Sequence, residues 1–158
     1  MIVGAIVLFI ILVVIIVIAI FWWLSYWIIF YPTRNMVWEP SNDGYQYDDI
    51  YLPFDYTQKR VVYYDQPPER KSATNLWHFK NLTKMRRGHE PGTVLFFHGN
   101  TGNISHRQYL VEICDRFGLN LVLVDYRGYG RSSGEACPDG IYQDGINSYE
   151  YLRSQIPE

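Results

Sequence analysis

Thr93-Val-Leu-Phe-Phe-His98-Gly99-Asn100-Thr101-Gly102-Asn103 is the stretch that decides the fold of this chain. A short apolar run enters a His-Gly turn and then a small, polar, glycine-punctuated loop. A second apolar run, Asn120-Leu-Val-Leu-Val-Asp125, leads into Tyr126-Arg127-Gly128-Tyr129-Gly130-Arg131-Ser132-Ser133-Gly134-Glu135. Both runs are continuously apolar rather than alternating, as expected of parallel strands covered on both faces. Between them, residues 105–117 place Tyr109, Leu110, Ile113, Cys114 and Phe117 at helical spacing, and Gly118 follows as a left-handed stop. Strand, helix and strand make a βαβ unit with a right-handed crossover. A further helix is predicted from Pro138-Asp139 through Arg153, with Ile141, Tyr142, Ile146, Tyr149 and Leu152 or nearby residues towards the sheet.

Upstream, Lys59-Arg-Val-Val-Tyr-Tyr64 and Asn75-Leu-Trp-His-Phe79 are predicted as an antiparallel opening pair, separated by the Pro67-Pro68 turn. Residues 81–92 have the basic, Gly- and Pro-containing composition of a surface connection. Residues 32–57, rich in Pro, Asp and Tyr without clear periodicity, are predicted as a loosely packed juxtamembrane stalk. The expected organisation is therefore an anchor over 1–31, a stalk over 32–57 and an α/β domain over 58–158.

Residues 1–31 carry no charged side chain. A helix of that length reaches about 45 Å at ~1.5 Å per residue, more than the ~30 Å hydrocarbon core of a bilayer. Trp22, Trp23, Tyr26, Trp27 and Tyr31 cluster at one end, where an interfacial aromatic belt is expected. A cleaved signal peptide fits less well, because no Lys or Arg precedes Arg34 and bulky aromatics stand where small residues are needed. The segment is also far longer than a core helix requires. It is predicted to be an uncleaved, single-pass membrane anchor. Arg34 is followed by Glu39, Asp43, Asp48 and Asp49, so flanking charge leaves the orientation and the organelle open. Two sequons, Asn81-Leu-Thr83 and Asn103-Ile-Ser105, bear on orientation only if they are used.

Lys and Arg number 14 against 16 Asp and Glu, a net charge of −2, which gives no basis for a nucleic-acid partner. Cys114 and Cys137 fit neither a disulfide framework nor a metal site. His78, His89 and His106 lack ligand spacing, so no metal and no cofactor is expected.

The chemistry lies in the two loops. Acyl transfer develops negative charge on a carbonyl oxygen, and preorganised N–H donors stabilise it. A turn of small residues after a strand lets backbone N–H groups reach that oxygen without side-chain obstruction. His98 and Gly99 are expected to shape the turn. Asp125 and Arg127 are expected to tie the second loop together, with Gly128 and Gly130 at positive φ. Gly130-Arg131-Ser132-Ser133-Gly134 matches G-x-S-x-G, yet a nucleophile elbow needs a strand entering the turn and a helix leaving it directly. Here the strand ends near Asp125 and the helix starts near Pro138, so Ser132 is only a weak nucleophile candidate. Gly128-x-Gly130 lacks the third glycine of a dinucleotide fingerprint, and the His98 loop lacks the Gly-Lys-Ser/Thr of a phosphate loop.

Phe97-His98-Gly99-Asn100-Thr101-Gly102-Asn103, the Val124–Glu135 stretch and Gly140-Ile-Tyr-Gln-Asp144 together resemble the membrane-anchored α/β-hydrolase-domain proteins, serine hydrolases of acyl esters or thioesters. The resemblance covers about residues 58–156. It implies an N-terminal transmembrane helix followed by the first half of an α/β-hydrolase fold, a mostly parallel sheet with flanking helices. It also implies that Asn100, with Thr101 beside it, supplies an oxyanion donor, and that His98 braces the turn rather than acting as base. In that family the nucleophilic Ser, the acid and the base follow in order after another strand, and none of the triad falls within these residues. The chain is therefore expected to be truncated before the nucleophile and inactive alone, with an acyl-ester or acylated-protein substrate if completed. The strand 93–97 is then left as an open apolar edge, prone to aggregate or to take a partner chain. The alternative expectation is a non-catalytic, membrane-tethered binding or regulatory protein.

Overall fold

The computed structural model describes residues 2–55, 73–80 and 91–155, and the chain divides into two units, Met1–Tyr31 and Pro32–Glu158. The first unit is helix α1 (Ile2–Ile29). Its span Ile2–Ser25 is long and apolar enough to cross a membrane, and none of that span is buried.

The second unit is built from β2 (Asp48–Pro53), β3 (Ala73–Phe79), β4 (Thr93–Phe97), α2 (Gln108–Phe117), β6 (Asn120–Val124) and α3 (Pro138–Gln155), with short 3-10 turns at Pro40–Asp43 and Ile104–His106. Two-residue extended pieces, β1 (Tyr31–Pro32) and β5 (Thr101–Gly102), lie outside the main sheet. The four-stranded sheet has the order β2-β3-β6-β4. β2 and β3 pair antiparallel, as do β3 and β6, and parallel pairing begins at β6–β4 with Leu95 opposite Val122. The strand–helix–strand unit predicted from the two apolar runs is present, and β4 forms one edge of the described sheet.

Each sheet face carries its own core. Ile50, Leu52, Leu76, Val122 and Val124 pack with Tyr151 and Leu152 of α3. Trp77, Phe79, Leu121 and Leu123 pack on the other face with Ile104 and with Val111 and Cys114 of α2. Gly118 closes α2 at φ 68°, the left-handed stop that its position suggests.

Two expectations fail here, and a third falls outside the described residues. Residues 32–57 do not form a loose stalk: Asp48–Pro53 is a sheet strand, and Trp38 and Tyr47 pack on Trp77 with ring centroids 6.1 and 5.3 Å away. The Asp-rich composition hid a period-two pattern, Ile50 and Leu52 on one face and Asp49 and Tyr51 on the other. Asp49 is accommodated because the Asn75 amide and the Arg131 guanidinium hold its two carboxylate oxygens. The observed partner of β3 is β2, whereas the expected partner, 59–64, lies outside the described residues, as do most of 81–92.

The helix faces also differ. Tyr109, Ile113 and Phe117 of α2 are exposed, and Val111 takes the inward position beside Cys114. On α3, Tyr142, Ile146 and Tyr149 are exposed, whereas Gly140, Asp144, Asn147, Ser148, Tyr151 and Leu152 are buried. Hydrogen bonding rather than apolarity orients α3. Asp144 binds Arg127 and Thr74, and the Asn147 amide reaches the Phe54 carbonyl at 3.1 Å.

His78 faces Tyr151, its Nδ1 lying 2.9 Å from the phenol oxygen. Burial, and then the charge of Lys80, push its imidazole down to about 4. The folded chain thus keeps His78 neutral where an unfolded imidazole, at about 6.5, is already protonated. Stability is full above about pH 6.5 and falls as pH drops towards 4. Urea titrations are expected to show a declining midpoint between pH 6.5 and 5, flattened in His78→Gln. Leu123→Ala should cost about 2–5 kcal/mol, while Tyr142→Ala should stay within about 0.5 kcal/mol.

Candidate functional site

The turn after β4 is held by its carbonyl groups. The Tyr126 hydroxyl donates to the His98 carbonyl (2.9 Å), and His98 Nδ1–H donates to the Gly99 carbonyl (2.7 Å). The Tyr129 hydroxyl donates to the Asn100 carbonyl (3.0 Å), and Arg107 Nη2 to the Thr101 carbonyl (2.9 Å). Four successive carbonyls are therefore drawn to side-chain donors. Every described peptide is trans, so each N–H points away from the carbonyl of its own peptide unit. Gly99 and Asn100 are exposed, and their N–H groups have no partner among the described residues. Burial, and then Tyr129, push the Tyr126 phenol up to about 12.

Asp125 underlies the turn. His98 Nε2 lies 3.2 Å from Asp125 Oδ1, with both side chains inaccessible to solvent. The contact is one of proximity, because Nε2 is not aligned for a hydrogen bond. Oδ1 accepts the Ile104 N–H at 2.9 Å, and the Asp125 N–H donates to the Asn75 carbonyl at 3.0 Å. One buried carboxylate thus joins the end of β6 to the segment leaving the first loop. Gly130, at φ 46°, passes over it so closely that a Cβ there would lie 1.9 Å from Asp125 Oδ2.

Arg127 belongs to the support, not to the mouth of the site. Its Nη2 and Nε grip Asp144 of α3 at 2.7 and 3.1 Å, and its own N–H reaches the same carboxylate at 2.8 Å. The Asp144 hydrogen bonds raise the guanidinium above its ordinary value. Its other face stacks on Phe54, 4.1 Å from the ring centroid. Gly128 sits at φ 86°, where a Cβ would approach the Ala136 nitrogen at 2.8 Å. Arg131 bridges Glu39 at 2.7 Å and Asp49 at 2.9 Å, tying the second loop to the segment before β2.

Ser132 is fully buried. Its Oγ accepts the Asn75 N–H at 2.7 Å and donates to the Asp125 carbonyl at 2.7 Å. Its donor and its accessible lone pair are committed to β3 and β6, and a nucleophile needs both accessible to substrate. Asn103 is equally occupied. Its amide nitrogen donates to Thr33 and Asn35 carbonyls at 3.0 and 2.9 Å, and its oxygen accepts from Ser105. A glycan on that sequon is incompatible with the folded chain, and Asn81 lies outside the described residues.

His106 closes a reciprocal cap with Asn103 and is no part of the exposed turn, and His89 is outside the described residues. Among the described residues no three His, Cys, Asp or Glu side chains are arranged to hold a metal. Cys114 is buried and Cys137 half-buried, both free thiols. Beside the turn, Phe97, Tyr126, Ile141, Tyr142, Gly145 and Ile146 line an apolar groove of about 330 Å³.

Sequence reasoning missed Tyr126, Tyr129 and Asp144. Nothing in residue type separates these tyrosines from packing aromatics. Asp144 lies off the apolar face expected to meet the sheet, so helical spacing pointed away from it.

No family model matches the chain. Over 61 residues it is 39% identical to the alpha/beta hydrolase domain-containing protein WAV2 of Arabidopsis thaliana, covering 38% of this chain and 20% of that protein. Over 122 residues it is 25% identical to the lysophosphatidylserine lipase ABHD12 of Gallus gallus, covering 68% of this chain and 32% of the lipase. Among solved structures, the Pyrococcus furiosus esterase Pf2001 aligns with a TM-score of 0.58 at 19% identity, over 82% of this chain and 43% of the esterase. The chain thus spans a fifth to a third of the length of these curated relatives.

Ser132→Ala should lower stability by about 1–3 kcal/mol, because the buried Asn75 N–H loses its acceptor. Gly130→Ala should be the harsher change, since the added methyl meets a buried carboxylate. Parallel urea denaturation of the two variants checks the order.

Proposed function

We propose that this chain, which belongs to the α/β-hydrolase family, contributes the oxyanion-stabilising half of a serine-hydrolase site for acyl esters or thioesters. One observation carries the reading: the exposed Asn100 N–H, without a partner among the described residues, opposite a Gly99 carbonyl that His98 holds. As a nucleophile adds to an acyl carbon, negative charge gathers on the carbonyl oxygen, and this N–H donates to it. A single donor of this kind is worth about 3 kcal/mol in the transition state. Gly99 leaves the approach free of a side chain, while His98 and Asp125 brace the turn from below.

The nucleophile, acid and base come from residues outside those described, since no described serine stands where a strand feeds directly into a helix. The second oxyanion donor, from the residue after the nucleophile, comes with them. The position of β4 at the edge of the described sheet and the apolar groove beside it fit the arrival of that further strand and helix. Without such a segment the described residues form a hydrolase half that is inactive alone.

Helix α1 serves as a single-pass membrane anchor in this reading, supported by its length, its lack of charge and the absence of buried residues along its span. The name of the lipase relative, lysophosphatidylserine lipase, favours an acylated lipid over an acylated protein as substrate. A non-catalytic tether that holds a partner chain at the β4 edge is the second reading, and that same edge position favours it.

Substitution at one position tests the donor. Asn100→Ala keeps the N–H and should leave esterase activity of the full-length protein near wild type. Asn100→Pro removes the N–H and should lower kcat by about 10²–10³. Equal activity in the two variants would count against the reading.

A further inference from the structure

We infer that Tyr126 and Tyr129 are positioning residues that lock the oxyanion turn against peptide flipping. The inference rests on the proposed role of that turn and adds two residues that touch no reacting atom.

A turn of small residues is a poor scaffold on its own. Gly99 has no Cβ, and nothing lies within 4 Å of where one would be. Rotation about the bonds flanking the Gly99–Asn100 peptide exchanges its carbonyl for its N–H at the surface. That exchange would point an oxygen lone pair at the place where negative charge develops. The peptide is restrained at its centre by His98 Nδ1, which holds the Gly99 carbonyl at 2.7 Å. The peptides on either side are restrained by the two phenols, at 2.9 Å on the His98 carbonyl and 3.0 Å on the Asn100 carbonyl. A flip of the central peptide must be absorbed by its neighbours, and the phenols fix both.

The phenols are themselves fixed. The Tyr126 and Tyr129 rings lie 4.7 and 5.2 Å from the His98 ring and 6.0 Å from each other. Tyr129 is 1% exposed. Gly128 and Gly130, both at positive φ, bend the second loop on either side of Tyr129. The second loop thus acts on the first through two hydroxyl groups.

Phenylalanine keeps each ring and deletes each hydroxyl, so Tyr126→Phe, Tyr129→Phe and the double variant isolate the lock from packing. The test is amide NMR of the 158-residue chain in detergent micelles, with Tyr109→Phe as an exposed control. Wild type and control should give one sharp resonance each for Gly99, Asn100 and Thr101. Tyr126→Phe should broaden or double Gly99, Tyr129→Phe should do so for Thr101, and the double variant should extend this to Asn100. Resonances of Leu121–Val124 should not move. A double variant whose loop resonances overlay those of wild type would overturn the lock.

Ester hydrolysis by the full-length protein separates the lock from the role it rests on. A kcat about tenfold lower in the double variant, with KM unchanged, supports both. A loosened loop with unchanged kcat supports the lock and counts against the oxyanion role. If the wild type hydrolyses no ester, the oxyanion role fails and the NMR result still decides the lock.

Discussion

The Asp125 carboxylate is the constraint on which the rest of this unit depends. It is fully buried at the end of β6, in contact with the His98 ring, and it accepts the Ile104 N–H that starts the run into α2. A buried carboxylate is costly unless polar groups hold it, and here Oδ1 is held by the Ile104 N–H beside the His98 ring, while Oδ2 has no hydrogen-bond partner among the described residues. Gly130 follows from that placement, because any side chain at its position would collide with the carboxylate. Ser132 follows too, for its hydroxyl secures the Asp125 carbonyl to β3. The two loops are thus one polar cluster seated at the ends of two parallel strands.

The parts legible in the sequence are those where one residue type has one physical reason to be there. The apolar runs at 93–97 and 120–124 are adjacent parallel strands, although only 120–124 is covered while 93–97 stays part-exposed, Gly118 ends a helix, and Gly128 and Gly130 stand at positive φ. The parts that were not legible are those where polar groups do the packing. β2 reads as an acidic linker until Arg131 and Asn75 neutralise Asp49. The inward face of α3 is chosen by Asp144 and Asn147, against the apolar pattern of Tyr142, Ile146 and Tyr149. Tyr126 and Tyr129 act through hydroxyl groups whose partners are backbone oxygens in a distant segment, a relation that spacing along the chain does not encode.

The G-x-S-x-G at Gly130–Gly134 shows how a motif depends on its surroundings. The pattern marks a nucleophile when strand and helix meet at the serine and leave its oxygen in the open. Here the same pattern folds as a loop whose serine is a buried strut. The turn after β4, by contrast, has no exclusive sequence pattern, and the role proposed for it lies in the direction of one N–H. The Gly99 carbonyl opposite that N–H is held by His98, and the carbonyls on either side by Tyr126 and Tyr129 of the second loop.

The most direct test of this half-site account is to label the protein in its native membranes with a fluorophosphonate probe and map the adduct by peptide mass spectrometry. The expected adduct sits on a serine outside the described residues, on a polypeptide that also yields the 93–134 peptides. An adduct on Ser132, or a folded chain that takes no label at any serine, would contradict it.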